Sequence, residues 1–134
     1  MTAGTKATMN VLIADDHEVV RKGVCSILES RVDWRVCGEA NNGEEAIKKA
    51  RQLNPDLIIL DVTMPIRDGF STASEIRELM PKVPILMLSM HDGRSMVRAA
   101  QAAGAQGFVT KADVAGVLLK AVDALLHGQT YFTE

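Results

Sequence analysis

The stretch Leu57-Ile58-Ile59-Leu60-Asp61-Val62-Thr63-Met64-Pro65, followed by Asp68-Gly69, decides how the chain is read. Four apolar residues without alternation fit a strand buried on both faces of a parallel sheet. Pro65 and Asp68-Gly69 then mark a turn. Asp61 therefore falls at the end of a buried strand, where an ionised carboxylate is costly unless a partner, a metal or a shifted pKa compensates.

Working outward, four more apolar runs qualify as strands: 11–14, the weaker 34–37, 85–88 and 107–109. Helical spacing fills the gaps. Val20, Val24, Ile27 and Leu28 share one face, 44–53 and 74–80 carry similar stripes, 94–103 is closed by Gly104, and 114–125 is stopped by Gly128. Strands alternating with helices define an α/β doubly wound sheet of five parallel strands, with right-handed crossovers that cover both faces. Ligands of such sheets bind outside the carboxyl ends of the strands.

Those ends carry Asp15-Asp16 after the first strand, Asp61 after the third, Ser89 after the fourth and Lys111 just beyond the fifth. The second strand offers no comparable group at Gly38-Glu39. Three carboxylates about 5 Å apart repel by roughly 10 kcal/mol in total at an effective dielectric near 20. One lysine offsets only part of that, and a hard divalent cation with oxygen ligands, Mg²⁺ above all, is the natural complement. A carboxylate, a hard cation, a hydroxyl and an ammonium suit phosphoryl transfer, with the carboxylate as candidate nucleophile.

Composition narrows the classes further. At 134 residues the chain has the size of one domain, and its net charge of −2 without a basic cluster argues against a nucleic-acid surface. No apolar stretch approaches the ~20 residues of a membrane span. Cys25 and Cys37 fit neither a redox pair nor a zinc site and read as reduced core thiols. Residues 1–8 read as a flexible N-terminal tail, not a secretory signal. A dinucleotide site would need a glycine-rich turn after the first strand, where Ala14-Asp15-Asp16-His17 stands. A haloacid-dehalogenase-type phosphatase would need an acid two residues after Asp61, where Thr63 stands.

Taken in order, Asp15-Asp16, Asp61-x-x-Met64-Pro65-x-x-Asp68-Gly69, Ser89 and Phe108-x-x-Lys111 resemble the receiver domain of two-component response regulators over about residues 9–130. The resemblance implies the strand order 2-1-3-4-5. It implies that Asp61 accepts a phosphoryl group from a sensor histidine kinase. Mg²⁺ would be held by Asp16, Asp61 and the backbone carbonyl of Thr63, with Asp15 acting through water. Ser89 and Lys111 would contact phosphate oxygens, and Phe108 would be the switch aromatic, its inward state partly populated before phosphorylation. Thr63 and His91 would tune the rate.

Such a protein is not an enzyme on foreign substrates, catalysing only its own phosphotransfer and autodephosphorylation. It is cytoplasmic, with no membrane partner. Ala112 follows Lys111 where many receivers have a proline, so a trans bond is expected there.

The run 107–113 and the ending 126–132 are similar to the NarL/FixJ (LuxR-type) subfamily. A homodimer on phosphorylation is a possible partner state; Leu119 and Leu126, off the main core face of the last helix, read either as its contacts or as ordinary partly exposed residues. The likeness implies DNA binding only through a C-terminal domain outside this chain, reached by a linker beginning at 131–134. A stand-alone receiver acting by protein–protein interaction is the alternative.

Overall fold

The computed structural model describes residues 8–133; the expected tail, 1–8, lies outside the described residues except for its last position. Six strands, all parallel, form one sheet in the order β2-β1-β3-β4-β5-β6. They are β1 (Met9–Ala14), β2 (Trp34–Ala40), β3 (Leu57–Asp61), β4 (Ile85–Ser89), β5 (Gly107–Thr110) and β6 (Tyr131–Phe132). The helices are α1 (Glu18–Leu28), α2 (Gly43–Leu53), α3 (Gly69–Leu79), α4 (Arg94–Ala102) and α5 (Val114–Leu126), with a short 3₁₀ turn, Lys111–Asp113, before α5.

The expected count of five strands is corrected to six. Tyr131 and Phe132, read as the start of a linker, add to the edge of the sheet beside Gly107 and Phe108. Both the N–H and the hydroxyl of Thr133 donate to the Phe108 carbonyl, each at 3.1 Å, and fasten that edge. A two-residue strand has no period to detect, which is why the sequence pattern passed over it.

The continuous apolar runs are explained by burial on both faces. Leu12, Ala14, Ile58, Leu60, Ile85, Met87 and Phe108 point into one core beneath α2, α3 and α4. Val11, Ile13, Leu57, Ile59, Leu86, Leu88 and Val109 point into the other beneath α1 and α5. Cys25 sits in the second core, and burial pushes its thiol up to about 11, well away from thiolate reactivity. Among the described residues no helix is long and apolar enough to cross a membrane.

The starts of α2 and α3 are set by polar caps. Asn42 accepts from the Glu45 N–H at 2.8 Å while Glu45 Oε1 reaches back to the Asn41 N–H at 3.3 Å. Asp68 accepts from the Ser71 N–H at 2.8 Å, so α3 begins at Gly69, five residues before the apolar stripe suggested. The turn between β3 and α3 contains one strained residue. Ile66 is β-branched, exposed, and held at φ 70°, a left-handed conformation that costs an L-residue roughly 1–2 kcal/mol. Ile66→Asn should therefore raise the urea midpoint, equivalent to about 0.5–1 kcal/mol of added stability, with the slope of the transition unchanged.

Candidate functional site

At the carboxyl edge of the sheet, strand register brings the chemistry together. Ala14 of β1 pairs with Leu60 of β3, so Asp15 and Asp61 leave adjacent strands side by side. Asp61 pairs with Leu88 and Ser89 pairs with Thr110, which lines up Ser89 and Lys111 on the next two strands. Asp15 and Asp61 are buried, at 0% and 1% exposure, whereas Asp16 is exposed at the rim.

Lys111 Nζ lies 3.0 Å from Oδ2 of Asp15 and 3.0 Å from Oδ2 of Asp61. The contact is an ion triplet: none of these three buried atoms has a partner in hydrogen-bonding alignment. The other Asp15 oxygen accepts from the His17 N–H at 2.9 Å, and Asp61 Oδ1 accepts from the Thr63 N–H at 3.3 Å. Ser89 Oγ accepts from the His91 N–H at 3.0 Å, so its own proton remains available to an incoming oxygen.

The sequence reading passed over His17. Its Nδ1 lies 3.4 Å from carboxylate oxygens of both Asp15 and Asp16, and 4.0 Å from Asp61 Oδ2. One ligand atom from each of Asp15, Asp16, His17 and Asp61 falls within 4.8 Å of the others. The only signal in the sequence was its place directly after Asp15-Asp16. The side chains of Thr63 and His91 are exposed on flanking loops, and these residues reach the site through their backbone N–H groups. Phe108 is fully buried in the core under α4. The Lys111–Ala112 bond is trans, as no peptide bond among the described residues is cis.

Charge decides what this arrangement can hold. Three carboxylates against one ammonium leave two negative charges, two of the carboxylates being buried beyond easy solvation. Burial pushes the Asp61 carboxyl up to about 6; the Asp15 carboxylate adds to the rise and Lys111 opposes it. Burial also works against the Lys111 charge, but the two carboxylates outweigh it and raise its pKa. A divalent cation with oxygen ligands matches both the residual charge and the buried, unaligned oxygens, so the residues present fit Mg²⁺.

These shifts set a pH dependence. Between about pH 4 and pH 6 the folded protein keeps a proton on Asp61 that the unfolded chain, with an ordinary value of 3.8, has released. Stability should fall as pH rises through that window and stay lowered above it. Asp61→Asn removes the penalty, and in metal-free buffer at pH 7 it should stabilise the protein by about 2–3 kcal/mol. Urea unfolding at pH 4 and pH 7 checks both statements, because the gain of Asp61→Asn should vanish at the lower pH.

A buried acidic pair bridged by a lysine, with a hydroxyl on the adjacent strand end, is an arrangement suited to phosphoryl transfer at the carboxyl edge of a doubly wound sheet. Comparison with known proteins shows the family. Residues 11–123 match the model of the response regulator receiver domain, and the chain belongs to that family. It is 37% identical over 125 residues to the response regulator protein VraR of Staphylococcus aureus, covering 93% of this chain and 60% of that protein. It is 34% identical over 120 residues to the transcriptional regulatory protein LnrK of Bacillus subtilis, covering 90% of this chain and 54% of that protein. Among solved structures, a LuxR-family two-component response regulator from Aurantimonas sp. SI85-9A1 superposes with a TM-score of 0.89 at 33% identity, covering 92% of this chain and 89% of that one. The chain thus spans 54% to 60% of the length of these curated relatives.

Proposed function

We propose that Asp61 is the phosphoacceptor of this receiver domain and that a sensor histidine kinase supplies the phosphoryl group. The observation that carries this reading is the buried pair Asp15–Asp61 sharing the single ammonium of Lys111, which leaves one negative charge on the pair and a second on Asp16 at the rim. An Asp61 carboxylate oxygen attacks phosphorus, the P–N bond to the donor imidazole breaks, and the departing ring nitrogen keeps the bonding pair. Lys111 faces the equatorial oxygens as charge spreads over them, and the Ser89 hydroxyl donates to another. Asp16, Asp61 and the Thr63 carbonyl would hold Mg²⁺, with Asp15 reached through water. Bound there, Mg²⁺ would neutralise the charge that two acidic groups and a phosphoryl group otherwise build up.

The domain catalyses only its own phosphotransfer and dephosphorylation, the latter tuned by Thr63 and His91. Ser89 and Phe108 are the proposed switch pair; the complete burial of Phe108 supports an inward state available before phosphorylation. The proposed output is transcription, through a DNA-binding domain beyond residue 134 and with dimerisation on phosphorylation, in the cytoplasm. Likeness to a transcriptional regulatory protein of which this chain covers 54% supports that output over a stand-alone role.

The test is direct. With Mg²⁺ and acetyl phosphate or phosphoramidate, intact-mass analysis should show one added phosphoryl group in the wild type and none in Asp61→Asn. Equal labelling of both proteins would remove Asp61 from the role.

A further inference from the structure

The second strand was read as ending without a functional group, yet its Glu39 anchors a side chain that grips the acidic loop. Arg21, one turn into α1, donates from Nη1 to the backbone carbonyl of Asp15 at 2.7 Å and from Nε to Glu39 Oε1 at 2.8 Å. Its side chain is only 14% exposed. Glu39 also receives Lys22 Nζ at 3.1 Å, and its carboxyl is held below the usual range chiefly by the Arg21 hydrogen bond. The Asp15 N–H is meanwhile taken by the Ala40 carbonyl at 3.0 Å. Both polar groups of the Asp15 backbone are thus fixed, one by the end of β2 and the other by Arg21.

We infer that Arg21, itself held by Glu39, is a positioning residue for the cation site: it fixes the Asp15 carbonyl and so the direction in which the Asp15 and Asp16 carboxylates leave β1. This rests on the Mg²⁺ reading above and deepens it. Arg21 touches neither cation nor phosphoryl group; it acts through the backbone of the loop that does. The guanidinium suits the task because its planar fork spans two acceptors at a fixed separation, which an ammonium cannot do. Glu39 has a second effect. It draws off the guanidinium charge, so that Arg21 does not fold into the acidic cluster beside it as an internal counter-ion competing with the divalent cation. Groups that orient metal ligands from outside the coordination shell change metal affinity by about 10–100-fold when removed.

The experiment is a Mg²⁺ titration of the whole chain by calorimetry, for wild type, Arg21→Met, Arg21→Lys, Glu39→Gln and the double variant Arg21→Met/Glu39→Gln. Arg21→Met should weaken Mg²⁺ binding by about tenfold or more, and Arg21→Lys should recover only part of the loss. Glu39→Gln should weaken binding as well, and the double variant should be no worse than Arg21→Met, because the two act as one unit. In phosphorylation assays the defect should appear as a higher Mg²⁺ concentration for half-maximal rate, relieved as Mg²⁺ is raised.

Wild-type Mg²⁺ affinity in folded Arg21→Met, or a fall in melting temperature with affinity unchanged, would overturn the inference. If Arg21→Met does not fold, Arg21→Lys and Glu39→Gln decide it by the same criterion. A wild-type chain that binds no Mg²⁺ would instead count against the proposed function, so the two failures are distinguishable.

Discussion

Lys111→Met should unbalance the protein and silence the site together. The side chain it replaces is 6% exposed, and its ammonium lies 3.0 Å from two carboxylates that are buried in turn. Breaking a buried ion pair from one side costs about 3–5 kcal/mol, because the remaining charge is stranded rather than merely unpaired. Here the cost has a pH signature. Lys111 holds the Asp61 carboxyl down, so without it Asp61 takes up a proton more readily and relieves the strain as pH falls; the loss should be larger at pH 7.5 than at pH 5. Added Mg²⁺ should restore part of the stability, replacing the lost positive charge. Phosphoryl uptake from acetyl phosphate should fall by about a hundredfold or more, the usual consequence of removing a donor aimed at the transition-state charge. Urea unfolding at the two pH values and intact-mass time courses test each part. A variant of wild-type stability at pH 7.5 would mean that Lys111 does not neutralise the acidic pair.

Gly69→Ala should be the most damaging substitution outside the charged cluster. A Cβ at position 69 would be driven into the Asp61 carbonyl oxygen and would stand 2.8 Å from the Val62 Cα. Both obstacles are backbone, so neither can swing aside. The Gly69 N–H donates to the Val62 carbonyl at 2.8 Å, which ties the start of α3 to the segment leaving β3. Overpacking of this kind costs about 3 kcal/mol or more where the neighbours cannot yield. The relief open to the chain is to move Asp61, so that both the phosphorylation rate and the melting temperature should fall. Gly23→Ala, inside α1 where an added Cβ meets nothing within 4 Å, is the matching control: it should leave labelling unchanged and raise the melting temperature slightly. A Gly69→Ala protein that melts and labels like the wild type would show that the close approach does not exist.

The parts that were legible in the sequence are those that burial makes repetitive. The apolar runs at 57–60 and 85–88 are buried on both faces, and residue type alone reported that. Asp15, Asp61, Ser89 and Lys111 were legible because each follows such a run, and register then places them on neighbouring strands.

What was missed depended on contacts between segments distant in sequence. β2 runs on to Ala40, but Gly38 and Glu39 carry no apolar signal, and a register shift between Val11 and Leu12 blurs the pattern further. β6 consists of two residues defined only by their pairing with β5. Arg21 stands in no sequence motif; only the placement of α1 against β2 gives it Glu39 and the Asp15 carbonyl. Asp68 was read within a turn, and its work as the cap of α3 follows from where that helix starts.

The central claim is that one carboxylate, Asp61, carries the phosphoryl group. Its sharpest test is reduction of the freshly phosphorylated protein with borohydride, which converts an aspartyl phosphate to homoserine, followed by peptide sequencing by mass spectrometry. Homoserine should appear at position 61 alone, and only when Mg²⁺ and the phosphodonor were both present. Homoserine at Asp15 or Asp16, or a stable phosphate on Ser89 or a histidine with position 61 unmodified, would show that another residue is the acceptor.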